Sequence, residues 1–365
     1  MRFIRKAITA LLIIIVIGSV AGSIYVHNLS GVWIHDVILS RPLSQEQIEK
    51  SKGELVRVYP DKLFGTWEPN GQFAAVMLRK DAGRLHEIGV NTISVVAYYD
   101  FNPDGTITVK DQQYLYSNII RAKQNGFAVY FSINFLGAAS QTLEQMGVDW
   151  TLDDFFTKAT EEAIYWAGVC EEYNVEYYNV HNEMNCFIFM NYPNQLENTT
   201  QVAQLIAEWH QQILPEITQR YMGRIVAKFC APEFDKIAQT ASMYEGYDII
   251  GFTHQHFYKN LEDFREFTRS QFSVAEEMAF QIGAQWMVGE AWFSYGPRWG
   301  TVNDAGESLD ELQDDYYRIT LEELSGYTGN KPAGIIFHSW NMPTTSVKDR
   351  PAQNILQEYF TNNSW

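Results

Sequence analysis

Short apolar runs alternate with longer amphipathic stretches along most of the chain. The short runs, rich in β-branched and aromatic residues, predict strands at 63–67, 92–99, 128–134, 175–180, 225–229, 248–253, 286–288 and 334–338. The longer stretches predict helices over 73–88, 111–125, 153–173, 201–221, 234–244, 261–282, 309–327 and 352–360. In the fourth of these, Val202, Leu205, Ile206, Trp209, Ile213 and Ile217 recur at helical spacing, with Glu208, Gln212 and Glu216 on the opposite face. Gly89 and Gly126 stand where a left-handed cap ends the first two helices.

Strand and helix patterns follow one another from residue 62 to 365 without a linker, which predicts one α/β domain. Eight such units in that length fit a single (β/α)8 TIM barrel, whose active site lies at the carboxyl ends of its strands. The competing doubly wound sheet loses its commonest use, because no glycine-rich phosphate loop follows any predicted strand. Ahead of the barrel, Ala7 to Val26 carries no charge and follows Arg2, Arg5 and Lys6. Residues 1–27 are therefore expected to be a transmembrane anchor with its basic end inside, and 28–61 a juxtamembrane segment. Ser19-Val20-Ala21 keeps a cleaved signal peptide open, and either reading puts the barrel outside the cell, tethered to the membrane or secreted.

The formal net charge is −17, and −20 once Arg2, Arg5 and Lys6 are set aside. Such an acidic body opposes nucleic acid as a partner and suits a neutral one. Cys170, Cys186 and Cys230 are too few and scattered for a zinc motif or a disulfide scaffold. Cys186 and Cys230 follow neighbouring strands, so a bridge between them is conceivable, with two separate thiols the simpler expectation.

Asn182-Glu183 in VEYYNVHNEMN and Glu290 in AQWMVGEAWFS each put a carboxylate where an apolar strand ends. In a barrel, acids ending the fourth and seventh strands face one mouth, which suits glycoside hydrolysis by paired carboxyl groups. Each acid has a plainer reading as well: Glu183 as a helix cap, Glu290 as the ion-pair partner of Arg298. His254, His256 and Glu290 offer metal-ligating groups, but with no third strong ligand a catalytic metal is not expected.

These segments resemble the clan A glycoside hydrolases, the barrel superfamily of cellulases, β-mannanases and β-galactosidases. Asn182-Glu183 resembles the clan's Asn-Glu pair on strand four, Glu290 its nucleophile on strand seven, and His256-Phe257-Tyr258 the His-x-Tyr segment whose tyrosine bonds the nucleophile. Trp340 resembles the tryptophan flooring the sugar site, while Trp67 and Trp292 supply further rings for stacking. Within the clan, GVNTISVVAYYDFNPDGTI and IIRAKQNGFAVYFSINF look most like small endo-β-mannanase barrels, with cellulase-type barrels next. His181 before Asn182, and the lack of a Trp-Asn-Glu-Pro string, depart from the clan's pattern. The resemblance implies a retaining hydrolase of β-linked mannan- or glucan-type glycans, with Glu183 as acid/base, Glu290 as nucleophile and Asn182 donating to the sugar 2-hydroxyl. It would work as a monomer with a carbohydrate substrate and no cofactor. A transglycosidase using the same acids, and a catalytically silent carbohydrate-binding barrel, are the alternatives.

Overall fold

The computed structural model describes residues 32–68, 70–135, 142–193, 198–230, 234–255, 260–293, 308–342 and 345–362, together with Ser23 and His27. Eight parallel strands close on themselves as a barrel: β1 (Leu63–Trp67), β2 (Thr92–Phe101), β4 (Ala128–Asn134), β5 (Tyr177–Asn182), β6 (Arg224–Phe229), β7 (Ile249–Gln255), β8 (Gln285–Trp292) and β9 (Gly334–His338). β1 closes the ring by pairing with both β2 and β9. The remaining strand, β3 (Ile107–Val109), runs antiparallel to the far end of β2. Its hairpin turns at Gly105, φ 79°, where the Asp104 carboxylate accepts from the Thr106 N–H at 3.0 Å.

Each crossover helix follows its strand, with some departures from the periodic pattern. The expected helix over 73–88 divides into Gly71–Lys80 and Ala82–Glu87 at Asp81. The one over 234–244 becomes Phe234–Ala238 and a 3-10 turn, Ala241–Tyr244. Met184–Asn191, Ile34–Leu39 and Gln45–Lys52 are helices that the pattern did not mark.

Two apolar layers result. Leu63, Tyr130, Tyr177, Val226, Ile249, Met287 and Ile336 fill the barrel's interior. Phe131, Trp166, Tyr178 and Trp286 belong to the sheath between strands and helices. Burying the interior rings and aliphatic groups makes the barrel a packed core, leaving the strands' carboxyl ends for chemistry. The opposite end is covered by the segment before β1. Arg57 Nε donates to the Val175 carbonyl at 2.8 Å, the Val58 N–H donates to Glu176 Oε1 at 2.8 Å, and Tyr59 packs edge-on against Tyr177.

Apart from Ser23, the uncharged run Ala7 to Val26 lies outside the described residues. Among the described residues, no helix is long and apolar enough to cross a membrane.

Candidate active site

β5 ends on Asn182, and the chain turns into the helix Met184–Asn191 through Glu183, whose φ of 56° and ψ of 43° are left-handed. A non-glycine residue there costs about 1–2 kcal/mol. The turn is held by the Glu183 N–H, which donates to the Lys228 carbonyl at 3.2 Å. An extra residue in β5 between Asn179 and Asn182 shifts its register against β6, so that Asn182 lies beside Lys228. β8 carries a similar irregularity after Val288, and there Glu290 pairs with Thr253 of β7. Bulges of this kind re-aim side chains, and here both adjoin the candidate acids.

Lys228 joins them. Its ammonium donates to Asn182 Oδ1 at 2.7 Å, Glu183 Oε1 at 3.1 Å and Glu290 Oε2 at 2.8 Å. Those two carboxylate oxygens therefore lie no further apart than the two bonds laid end to end, about 6 Å. The lysine stem passes over glycines: a Cβ on Gly289 would stand 3.0 Å from Lys228 Cδ, and one on Gly251 3.5 Å from its Cβ. Thr253 Oγ1 also donates to Glu183 Oε1. With Asn182 Oδ1 bound to the ammonium, the Nδ2–H groups are the amide's remaining donors.

Burial pushes the Glu290 carboxyl up to about 7; Lys228 pulls it down and the charge of Glu183 pushes it up further. This runs against the low value a nucleophile beside a cation would have, because full desolvation outweighs the ammonium. Burial alone would lower Lys228, but the two carboxylates carry it above its ordinary value. Tyr98, at the end of β2, is pushed well up by burial and by the charges of Glu290 and Glu183, which keeps its phenol protonated. Glu68, just after β1, is buried and pushed up to about 8 by desolvation. Its Oε2 accepts from the Asn341 N–H at 2.9 Å, while Oε1 has no partner among the described residues.

The aromatic residues divide. The Lys228 ammonium stands 5.1 Å from the centre of the Trp67 ring, and Trp67 and Trp292 both meet His338 edge-on, at 5.3 and 5.9 Å. Trp340 is elsewhere. It is fully buried, its indole N–H donates to Asp81 Oδ2 at 2.9 Å, and Arg84 and Lys348 flank its ring. Trp340 therefore fills the layer between β9 and the first helices, and the expectation that it floors a sugar site is corrected: His338 is the ring that ends β9 between Trp67 and Trp292. His256, Tyr258 and Arg298 lie outside the described residues. His181 is a buried core ring stacked on Phe135, held neutral by burial that lowers it to about 3.

Lys228, Thr253, Tyr98 and Glu68 escaped the sequence reading. Lys228 carried a signal, a single charge inside the apolar run Ile225–Phe229, whereas a threonine or tyrosine in a strand is unremarkable. Cys186 and Cys230 are free thiols. With Glu183 they are the group of residues, among those described, that could converge on a metal ion.

No protein-family model matches the chain, and no curated protein matches it. Solved structures do. A GH113 β-1,4-mannanase superposes with a TM-score of 0.60 at 15% identity, covering 83% of this chain and 99% of its own. The GH113 β-mannanase from Alicyclobacillus acidocaldarius, in complex with ManMIm, gives 0.58 at 11%, covering 83% and 97%. A fungal β-1,4-galactanase gives 0.54 at 14%, covering 82% and 100%. The chain thus shares the (β/α)8 barrel fold of these structures over most of its length, and at these identities the likeness speaks for the fold alone.

Proposed function

We propose that this chain is a retaining glycoside hydrolase acting on β-linked poly- or oligosaccharides, β-mannan type foremost, by double displacement. The observation that carries the reading is the single buried ammonium bridging Glu183 and Glu290 at the carboxyl end of a parallel barrel. It keeps their nearest oxygens within about 6 Å, near the ~5–5.5 Å of retaining enzymes and short of the ~6.5–9.5 Å that inversion needs for its water. Glu290 attacks the anomeric carbon, and Glu183 protonates the leaving oxygen and then deprotonates water. Asn182, its amide oriented by Lys228, donates to the sugar 2-hydroxyl. Trp67, His338 and Trp292 line the ring site. The neighbouring mannanase and galactanase folds favour β-linked hexose polymers as substrates.

The test is a screen of the purified protein on chromogenic β-mannosides, β-glucosides and β-galactosides, with mannan, glucan and galactan alongside. Turnover of at least one, abolished in Glu290→Gln, is expected. Binding of a glycan without turnover of any would leave a silent carbohydrate-binding barrel instead.

The uncharged run Ala7 to Val26 further supports a barrel held outside the cell by its N-terminus. Fractionation with membranes and digestion by protease added to intact cells are expected; a barrel that stays protected in intact cells would refute this placement.

A further inference from the structure

We propose that Glu183, Cys186 and Cys230 form a site for a thiophilic divalent cation of the zinc type, which silences the acid/base while bound. The silencing rests on the proposed function; the binding does not. Glu183 and Cys186 are three residues apart across the first turn of the helix Met184–Asn191, so both project from one face. Cys230 follows β6, and the side chain of Asn185 grips it on both sides. Asn185 Oδ1 accepts from the Cys230 N–H at 3.0 Å, and Asn185 Nδ2 donates to its carbonyl at 3.3 Å. A carboxylate oxygen and the two sulfurs thereby come within 4.8 Å of one another.

Two thiols with one carboxylate are a borderline-soft donor set that suits zinc and its analogues, while calcium and magnesium want oxygen alone. Three protein ligands leave a fourth tetrahedral position for water. Cys186 and Glu183 are partly exposed, which gives the ion a way in, whereas Cys230 supplies a buried anchor. Oε1 of Glu183 is already engaged by Lys228 and Thr253, so the other oxygen is the one left to the ion. Binding displaces the two thiol protons to solvent and forms two sulfur–metal bonds and one oxygen–metal bond, with no change of oxidation state. It also takes the oxygen that would carry the proton to the leaving group. A disulfide would use the same sulfurs but would give Glu183 no part.

The test uses the intact protein with its thiols reduced, titrated with Co2+ as the probe. One equivalent should produce thiolate-to-cobalt charge-transfer absorption, displaced by Zn2+. Cys186→Ser and Cys230→Ser should each remove most of the band, and Glu183→Gln should weaken binding at least tenfold while keeping part of it. Micromolar Zn2+ should inhibit hydrolysis reversibly, with chelator restoring it, and the activity that Cys186→Ser retains should no longer respond. Absence of the band in protein with confirmed free thiols would overturn the site, as would equal zinc inhibition in Cys186→Ser, or spontaneous loss of both thiols to a disulfide in air. A cobalt band in a protein that hydrolyses no glycan would sustain the metal site and refute the hydrolase.

Discussion

Removing the Lys228 ammonium leaves two acids in the mouth, one of them fully desolvated, without their shared cation. Without the ammonium that pulls it down, the Glu290 carboxyl resists ionisation more strongly. In the proposed mechanism Glu290, pushed up to about 7, must be ionised to attack, so kcat/KM should fall as pH drops through about 7 in the wild type. In Lys228→Met that acid limb should move to higher pH, with kcat/KM at neutral pH lower by about a hundredfold or more. A pH–rate profile with an unmoved limb would deny the lysine its role. Glu68 gives a stability test of the same kind. Its folded value of about 8 lies above the unfolded 4.5, so the stability it contributes is full below about 4.5 and is lost as pH rises towards 8. Glu68→Gln keeps an acceptor for the Asn341 N–H and removes the ionisation. The variant should gain on the wild type between pH 5 and 8 by on the order of a few kcal/mol, read from denaturant melts across pH. An advantage independent of pH would contradict this. Glu183 and Glu290 stood out in the sequence as candidates because acids at strand ends are conspicuous, and Asn182 because it adjoins one of them. Lys228 was passed over because its meaning depends on two neighbouring strands, which one strand's pattern does not contain.

The elements themselves were largely written in the periodicity, since all eight barrel strands fall where apolar runs stand. What failed were the interruptions. Asp81 divides a helix because its carboxylate serves Trp340 and Lys348, 2.9 and 2.7 Å away, partners more than 250 residues downstream. The bulges in β5 and β8 were equally invisible, since a one-residue shift relative to a neighbour leaves no mark on composition. Gly289 is the useful exception, a glycine inside a strand pattern, which often marks a bulge or a close approach. Here the approach is Lys228. Gly289→Ala would put a methyl 3.0 Å from the lysine stem and displace the ammonium from one or both acids. The expected result is at least a tenfold loss of kcat with a shift in melting temperature of only a few degrees, about 1 kcal/mol for a chain this long. Full activity in a folded Gly289→Ala would mean that the ammonium's position is not set by this gap.

At the scale of the molecule, a barrel filled by Tyr130, Tyr177, Met287 and Ile336, and covered at one end by residues 53–62, leaves its chemistry to the other end. That is why acids 107 positions apart in sequence meet around one ammonium. Trapping on an activated substrate tests most directly the division of labour proposed for them. With a dinitrophenyl β-glycoside of the sugar that the wild type prefers, the leaving group needs little protonation. Glu183→Gln should form the glycosyl-enzyme on Glu290 and stall, visible as a mass increment on the intact protein, and azide should release it as the β-glycosyl azide. Glu290→Gln should form no adduct. An adduct in Glu290→Gln, or none in Glu183→Gln on a substrate the wild type turns over, would contradict the assignment of the two roles.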